Sequence, residues 1–254
     1  MIFWHVISII WMRLVSHADV CALKLITGFG IGNTQHSYIV VDKMQRKRYQ
    51  ASPGRQEWIT AIECVWANGT DILPFIILKG NNFVANWISH DAPNGWKFSN
   101  NSKGWTSNEH GMAWLMQCFN PCTIDKANEC TWLLVCDGHD SHISAEFVRY
   151  CYEQNIAILL LLLHSFHLIQ PLDVGVFIPL KAAMRFTLSA IFRTGILCLQ
   201  KPEWIQSYIK ASKKVMTRRN IESGWRSAGL WPINSERIIK WLLEETTTPP
   251  PTIL

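Results

Sequence analysis

Charged side chains are scarce in this sequence. They make up 17% of its 254 residues, whereas soluble domains commonly carry about 25%. The 24 basic residues only slightly outnumber the 19 acidic ones, so the net charge is +5. This balance tolerates a nucleic-acid partner but does not require one. The basic residues are dispersed except in Lys43–Arg48 and Lys213–Arg219, and such runs usually form solvated surface.

The sequence also lacks any Cys-x-x-Cys pair among its eight cysteines. This argues against a zinc ribbon and against a thioredoxin-type site. Cys118, Cys122 and Cys130 could in principle meet around a metal. The cysteines in apolar periodic segments are predicted to be small buried residues, and they are Cys64, Cys136 and Cys151. A reducing intracellular setting is therefore predicted.

No hydrophobic run is long enough to predict a membrane span. The apolar start, Met1–Val15, is interrupted by Arg13, well short of the roughly 20 residues that a spanning helix needs. It has neither the basic n-region nor the small-residue cleavage site of a signal peptide. The run Ile156–Leu163 has the length of a buried strand.

Alternation, capping residues and turn residues predict an α/β fold. The predicted elements in chain order are strands 58–65 and 72–78 joined at Asn68-Gly69, a loop over 80–104, a helix from 106 to about 119, strand 132–136, a helix from Ser144 to about 154, and strand 156–163. The strand 132–136, the helix after it and the strand 156–163 are spaced as in a parallel strand pair joined by a crossover helix. Helices are predicted over 174–190, 202–216, 220–228 and 235–245, before a disordered tail.

Two carboxylates follow apolar strand-like runs. Asp137 directly follows the strand at 132–136, and 35 residues lie between it and Asp173, which is at the start of a predicted helix. Functional groups gather at the carboxyl ends of strands in open α/β sheets. Such a layout suits two ligands of a catalytic Mg²⁺ pair, which would clamp a phosphodiester.

Nearby histidines could position phosphate or support the metal ligands. They are His139, His142, His164 and His167. A simpler interpretation is also open, because Asp-Gly is a common turn and Asp173 could be a helix cap. Two-metal chemistry normally needs a third carboxylate as well.

The segments Cys136–His142 (CDGHDSH) and Gln170–Phe177 (QPLDVGVF) resemble those of the pogo/Tigger-type transposases. These belong to the DDE endonuclease superfamily, which has an RNase H-like fold. The resemblance extends to Pro53–Trp58 (PGRQEW), Gly104–Glu109 (GWTSNE) and Gly229–Pro232 (GLWP), and covers roughly residues 20–240. It implies that Asp137 and Asp173 match the second and third acidic metal ligands of the family.

The resemblance also implies a mixed sheet with flanking helices and a helical C-terminal part. Residues 21–190 are then the DDE endonuclease core, 191–245 the C-terminal helical part and 246–254 the tail. Residues 1–20 are expected to be a degraded or frame-shifted first-strand region.

The first acidic ligand of the family is missing from its expected place. The family strand has approximately the sequence Asn-Met-Asp-Glu-Thr-Gly-Phe, shortly before a segment like 24–28, but Ile9–Ser16 (IIWMRLVS) contains no Asp. Trp11-Met12 must be encoded TGG ATG. In the neighbouring frame, the codon that starts at the last G of TGG is GAT, which encodes Asp. With suitable neighbouring codons that frame yields Met-Asp-Glu-Thr-Gly-Phe. We hypothesise a frame-shifted translation here, which nucleotide sequence over codons 1–30 would test.

A second segment indicates mutational erosion. Leu161–His167 (LLLHSFH) stands where the family commonly has Leu-Pro-Pro-His-Thr/Ser-Ser/Thr-His. Two Pro-to-Leu changes and one Ser-to-Phe change are each one C-to-T transition away. The loss of both prolines removes fixed φ angles that would aim the loop carrying the histidine pair.

The resemblance implies a transposase-derived, nucleic-acid-binding domain that ancestrally performed Mg²⁺-dependent DNA strand cleavage and transfer. It is expected to be inactive, because the first Asp is missing. The alternative is a non-catalytic host module that binds DNA or a protein. Mg²⁺ or Mn²⁺ is expected if any metal binds, and DNA contact is expected to be non-specific, since no N-terminal helix-turn-helix is expected. The nucleus is the expected location, without a membrane partner, and the oligomeric state is left open.

Overall fold

A computed structural model describes residues 21–31, 57–123, 131–137, 143–161, 170–193, 199–234 and 236. Six strands form one sheet: β1 (Cys21–Ile31), β2 (Glu57–Trp66), β3 (Asp71–Lys79), β4 (Lys97–Asn101), β5 (Trp132–Cys136) and β6 (Ile156–Leu160). Their order is β4-β3-β2-β1-β5-β6. The pairs β1–β2 and β2–β3 are antiparallel, and β3–β4, β1–β5 and β5–β6 are parallel. This mixed sheet confirms the predicted RNase H-like α/β fold.

Within the described ranges, five helices of more than one residue follow the order predicted from the sequence. Helix α1 runs from Asn108–Trp114 through a π-helical turn, Leu115–Phe119, to Asn120–Thr123. The others are α2 (Ala145–Glu153), α3 (Asp173–Arg193), α4 (Lys201–Val215) and α5 (Arg218–Ser227). A short 3₁₀ turn occupies Ala85–Trp87.

Local signals set several element ends as predicted. Gly69 at the β2–β3 turn has a φ of +89°, and Thr70 N donates to Asn68 Oδ1 at 2.9 Å. Phe147 N donates to Ser144 Oγ at 3.2 Å, which caps α2. The capping box predicted at 106–109 is wrong, because the N-cap of α1 is Ser107, whose side chain makes no capping bond and instead donates to Glu109.

Two strands differ from the sequence-based prediction. The predicted loop over 80–104 contains β4, whose polar sequence KFSNN pairs in parallel with the edge of β3. The strand beside β5 is β1, at Cys21–Ile31, which was not predicted as a strand, and residues 1–20, where a first-strand region was expected, lie outside the described residues. The buried Lys24 interrupts the apolar pattern of β1, so the sequence pattern alone did not predict a strand there.

Helices cover both faces of the sheet. Lys24 Nζ lies 5.3 Å from the Trp114 ring of α1 and 5.4 Å from the Phe147 ring of α2. Phe29, at an odd position of β1, packs edge-on against Trp204 and Tyr208 of α4. Because alternate strand residues point to opposite faces, α1 and α2 lie on one face and α4 lies on the other.

Helix α3 carries an unusual amount of exposed apolar surface. Ile178 and Phe186 are exposed on it, although Val176, Leu180 and Met184 are buried in the core. Within the described part of the chain, α3 alone is long and apolar enough to cross a membrane, judged by length and composition. The core helix of a soluble protein can satisfy the same criterion. The helix predicted over 235–245 and the tail after it lie outside the described residues, apart from residue 236.

Candidate nuclease-like site

Asp137 lies where the sequence predicted it, directly after the fully buried strand β5. Strands β5 and β6 are parallel neighbours, and Leu161 N donates to Cys136 O at 2.9 Å, so the two strands end together. Asp173 follows β6 at the start of α3. Both carboxylates therefore follow the carboxyl ends of adjacent parallel strands, and both side chains are half-buried.

The residue of β1 next to Asp137 is a leucine. Strands β1 and β5 pair in parallel as far as Lys24 with Cys136, so the next residues in this register are Leu25 and Asp137. Leu25 is 3% exposed. The tripeptide two residues further along β1 is Thr27-Gly28-Phe29, the same Thr-Gly-Phe that follows Asp-Glu in the family strand. In this register Leu25 lies in line with the expected metal ligand Asp137, whereas residues 9–16, where the first carboxylate was expected, lie outside the described residues.

A buried acid that the sequence analysis missed lies on the other side of Leu25. Glu63 of β2 pairs directly with Leu25 and is 1% exposed. The Tyr208 hydroxyl of α4 donates a hydrogen bond to Glu63 Oε1. Burial raises the pKa of Glu63 to about 8, against the lowering effect of the Tyr208 hydrogen bond and with a further increase from Asp71. Glu63 is therefore mostly protonated near pH 7, unlike a carboxylate ready to bind a metal.

Close helix packing fixes the turn that carries Asp173. A Cβ atom added to Gly175 would lie 2.7 Å from Asn220 O and from Gly224 Cα of α5. One added to Gly224 would lie 2.3 Å from Pro171 O. The start of α3 therefore touches the backbone of α5, with two glycines at the contact, so the position of Asp173 depends on α5.

The described residues do not fit a two-metal centre. Leu25, in the middle of the row β5–β1–β2, offers no oxygen to a metal, and Glu63 is hydrogen-bonded to Tyr208. Among the residues that the structure describes, no three His, Cys, Asp or Glu side chains form a group that could hold a metal ion. The four predicted histidines, at 139, 142, 164 and 167, and the predicted Cys130 ligand lie outside these residues.

The end of α4 and the start of α5 form a basic surface. Lys210, Lys213, Lys214 and Arg219 are exposed there, while Arg218 pairs with Glu222 at 2.7 Å. This surface contains the predicted basic run Lys213–Arg219. The other predicted run, Lys43–Arg48, lies outside the described residues.

Known proteins match both the sequence and the fold. The DDE superfamily endonuclease family matches residues 55–225. The MFS-type transporter clz9 of Cochliobolus lunatus is 35% identical over 216 residues, which are 85% of this chain and 23% of that protein.

Two crystal structures of Mos1 mariner paired-end complexes are similar in fold. The complex with Mn superposes with a TM-score of 0.55 at 14% identity, and the complex with Mg with a TM-score of 0.50 at 17% identity. They cover 96% and 97% of this chain, which spans 61% of each Mos1 chain. The chain thus spans less than a quarter of its curated relative and about three fifths of its structural neighbours.

Proposed function

Because this chain belongs to the DDE superfamily endonuclease family, we propose that it is a transposase-derived domain of pogo/Tigger type that still contacts DNA but no longer cleaves it. Its ancestral activity is DNA strand cleavage and transfer with Mg²⁺ or Mn²⁺. The observation that carries the proposal is the β1–β5 register, in which Lys24 pairs with Cys136 and the residues that follow are Leu25 and Asp137.

The loss of activity follows from the chemistry of that position. In a two-metal nuclease, carboxylates hold two divalent ions that stabilise the attacking and the leaving oxygen. A leucine offers no lone pair and excludes water, so Asp137 and Asp173 lack the ligand that would lie between β5 and β2. Glu63 does not replace it, because its carboxyl group is buried, mostly protonated near pH 7 and hydrogen-bonded to Tyr208.

Plasmid nicking tests the loss of activity. We expect the full chain to give no nicked product with Mg²⁺ or Mn²⁺. Asp137→Ala is the matched control, because it removes a carboxylate that is half-buried at the end of β5 and leaves the core strand intact. Nicking by the natural chain that disappears in Asp137→Ala would contradict the proposal.

The retained DNA contact is assigned to the basic surface of α4 and α5. Its exposed cations would bind phosphates without reading sequence, and binding should weaken steeply with salt. Each phosphate contact contributes about 0.9 to the slope of log K against log salt. Replacing Lys213 and Lys214 with Ala should therefore reduce the slope by about 2 in fluorescence anisotropy titrations with duplex DNA.

Arg149→Ala is the matched control for the DNA contact. Arg149 is an exposed cation on α2, which lies on the opposite face of the sheet from α4, and its removal should leave the slope unchanged. A slope near zero for the natural chain would favour the alternative of a protein-interaction module. We further propose that the protein works with DNA in the nucleus, where a fluorescent fusion should accumulate.

Transport is not proposed, although the Cochliobolus lunatus relative is named a transporter. This chain corresponds to 23% of that protein. Because 216 of the 254 residues match that protein, most of residues 55–225, which match the DDE endonuclease family, fall within the likeness.

A further inference from the structure

A cavity at the end of β1 is lined by both aromatic and positively charged side chains. It has a volume of about 430 Å³ and lies between the end of β1, the start of β2, and helices α3 and α4. Pockets of this size commonly hold small molecules or single chemical groups of larger ligands. Gly28 and Gly30 of β1 contribute no side chains to it, so the strand backbone forms part of its wall.

The aromatic part of the cavity is Trp58. Its indole ring lies over Gly28, because a Cβ atom added there would be 2.3 Å from Trp58 Cζ2. The side chain is nevertheless 42% exposed, whereas Trp204 on the cavity wall is fully buried. Trp58 therefore presents ring surface to the cavity, and exposed indole is a common platform for stacking nucleobases.

The charged part of the cavity comes from α3. Lys181 and Arg185 are exposed and one helical turn apart, next to the apolar side chains of Met184 and Leu188. This mixture of two cations with apolar and aromatic surface matches a nucleobase and its adjoining phosphates. It does not match a purely apolar ligand, which would gain nothing from the cations.

The distance from the candidate site is suitable for a continuous DNA strand. Lys181 lies eight residues after Asp173, or about 12 Å along the helix, and Arg185 lies about 18 Å away. Gly28 lies about 10 Å along β1 from Leu25. Because phosphates of one B-form strand follow each other at about 3.4 Å along the axis, these distances correspond to about three to five nucleotides.

We propose that this cavity binds an unpaired base of a DNA strand, which stacks on Trp58 while its flanking phosphates contact Lys181 and Arg185. The proposal rests on the proposed DNA contact and adds a subsite for single-stranded or flipped-out nucleotides. A free nucleotide offers the same chemistry, so the test compares both sources.

The test measures binding of a labelled duplex with a single-stranded thymidine overhang and of the same duplex with an abasic overhang. The natural full chain should bind the base-bearing overhang about 5- to 150-fold more tightly, which is the range for one stacked base. In Trp58→Ala the ratio of the affinity for the base-bearing overhang to that for the abasic overhang should fall towards one. Lys181→Ala and Arg185→Ala should weaken both DNAs alike, with a salt slope reduced by about 0.7 to 0.9 each.

Trp105→Ala is the matched control. Trp105 is 59% exposed and does not line the cavity, so its removal should leave the ratio unchanged. If Trp58→Ala fails to fold, Trp58→Phe should keep part of the ratio, and Leu188→Phe should lower it by filling the cavity from α3.

Three outcomes would overturn the inference in distinguishable ways. Equal affinity of the natural chain for the two overhangs removes the base subsite but leaves the DNA contact standing. Saturable binding of thymidine monophosphate as tight as that of the overhang assigns the cavity to a free nucleotide. No binding of either DNA refutes the proposed DNA contact together with the subsite.

Discussion

The buried acid Glu63 should make the stability of this protein fall as the pH rises. Its folded-state pKa is about 8, raised from 4.5 chiefly by burial, so the unfolded chain releases this proton at lower pH than the folded protein does. The contribution is complete below pH 4.5 and is lost progressively as the pH rises to about 8. Lowering the pH therefore stabilises the fold through this group.

The size of the effect follows from the two pKa values. Between pH 4.5 and about 8, each pH unit lowers the free energy of unfolding by about 1.4 kcal/mol, and the whole interval lowers it by about 5 kcal/mol. Domains of this size are stable by roughly 5–15 kcal/mol in total. Ionisation of this one carboxyl group, between β2 and Tyr208 of α4, thus removes a large part of the free energy of unfolding.

Urea unfolding at several pH values, followed by tryptophan fluorescence, measures this dependence. Glu63→Gln is the control, because Gln keeps the shape of the side chain and can accept the Tyr208 hydrogen bond but does not ionise. The difference in free energy of unfolding between the two proteins isolates Glu63, since other titrating groups contribute equally to both. Parallel stability profiles between pH 5 and pH 8 would refute the reasoning.

Two further predictions concern the candidate site. Leu25→Asp should lower the melting temperature in the absence of metal. Added Mn²⁺ should recover part of this loss in Leu25→Asp but not in the isosteric Leu25→Asn. Equal responses of the two variants to Mn²⁺ would show that position 25 is not the lost ligand position. Gly224→Ala should reduce the free energy of unfolding by about 1–3 kcal/mol in urea titrations, because its Cβ would lie 2.3 Å from Pro171 O. Ser223→Ala, on the exposed side of α5, should be nearly neutral, and similar losses in both variants would contradict the close helix contact.

Local sequence signals were sufficient for much of the fold. Asn68-Gly69 identified the β2–β3 hairpin, Ser144 marked the start of α2, and the apolar run 132–136 placed Asp137 at a strand end. These elements depend on neighbours within a few residues, so turn and capping chemistry determines them.

The parts that were missed depend on contacts distant in sequence. Lys24 is compatible with a buried strand because Trp114 and Phe147, about 90 and 120 residues later, cover its ammonium group. Glu63 becomes a buried hydrogen-bonded acid only when Tyr208 packs onto β2. The polar β4 is a strand because β3 offers it an edge. None of these partners can be identified from a local pattern.

Under the proposed function, the leucine at position 25 gives a physical reason why the fold can outlast the activity. A carboxylate there would stand between Asp137 and the mostly protonated Glu63 at a position only 3% exposed. Without metal it would be costly to bury and would repel an ionised Asp137. A leucine removes that repulsion, and burying it contributes about 1.5–3 kcal/mol. The leucine to which we attribute the loss of metal binding thus favours the metal-free sheet. In a lineage no longer selected for cleavage, loss of this carboxylate is tolerated by the core, whereas loss of Gly224 or Tyr208 is not, so the ligand at position 25 is expected to disappear before the packing around it.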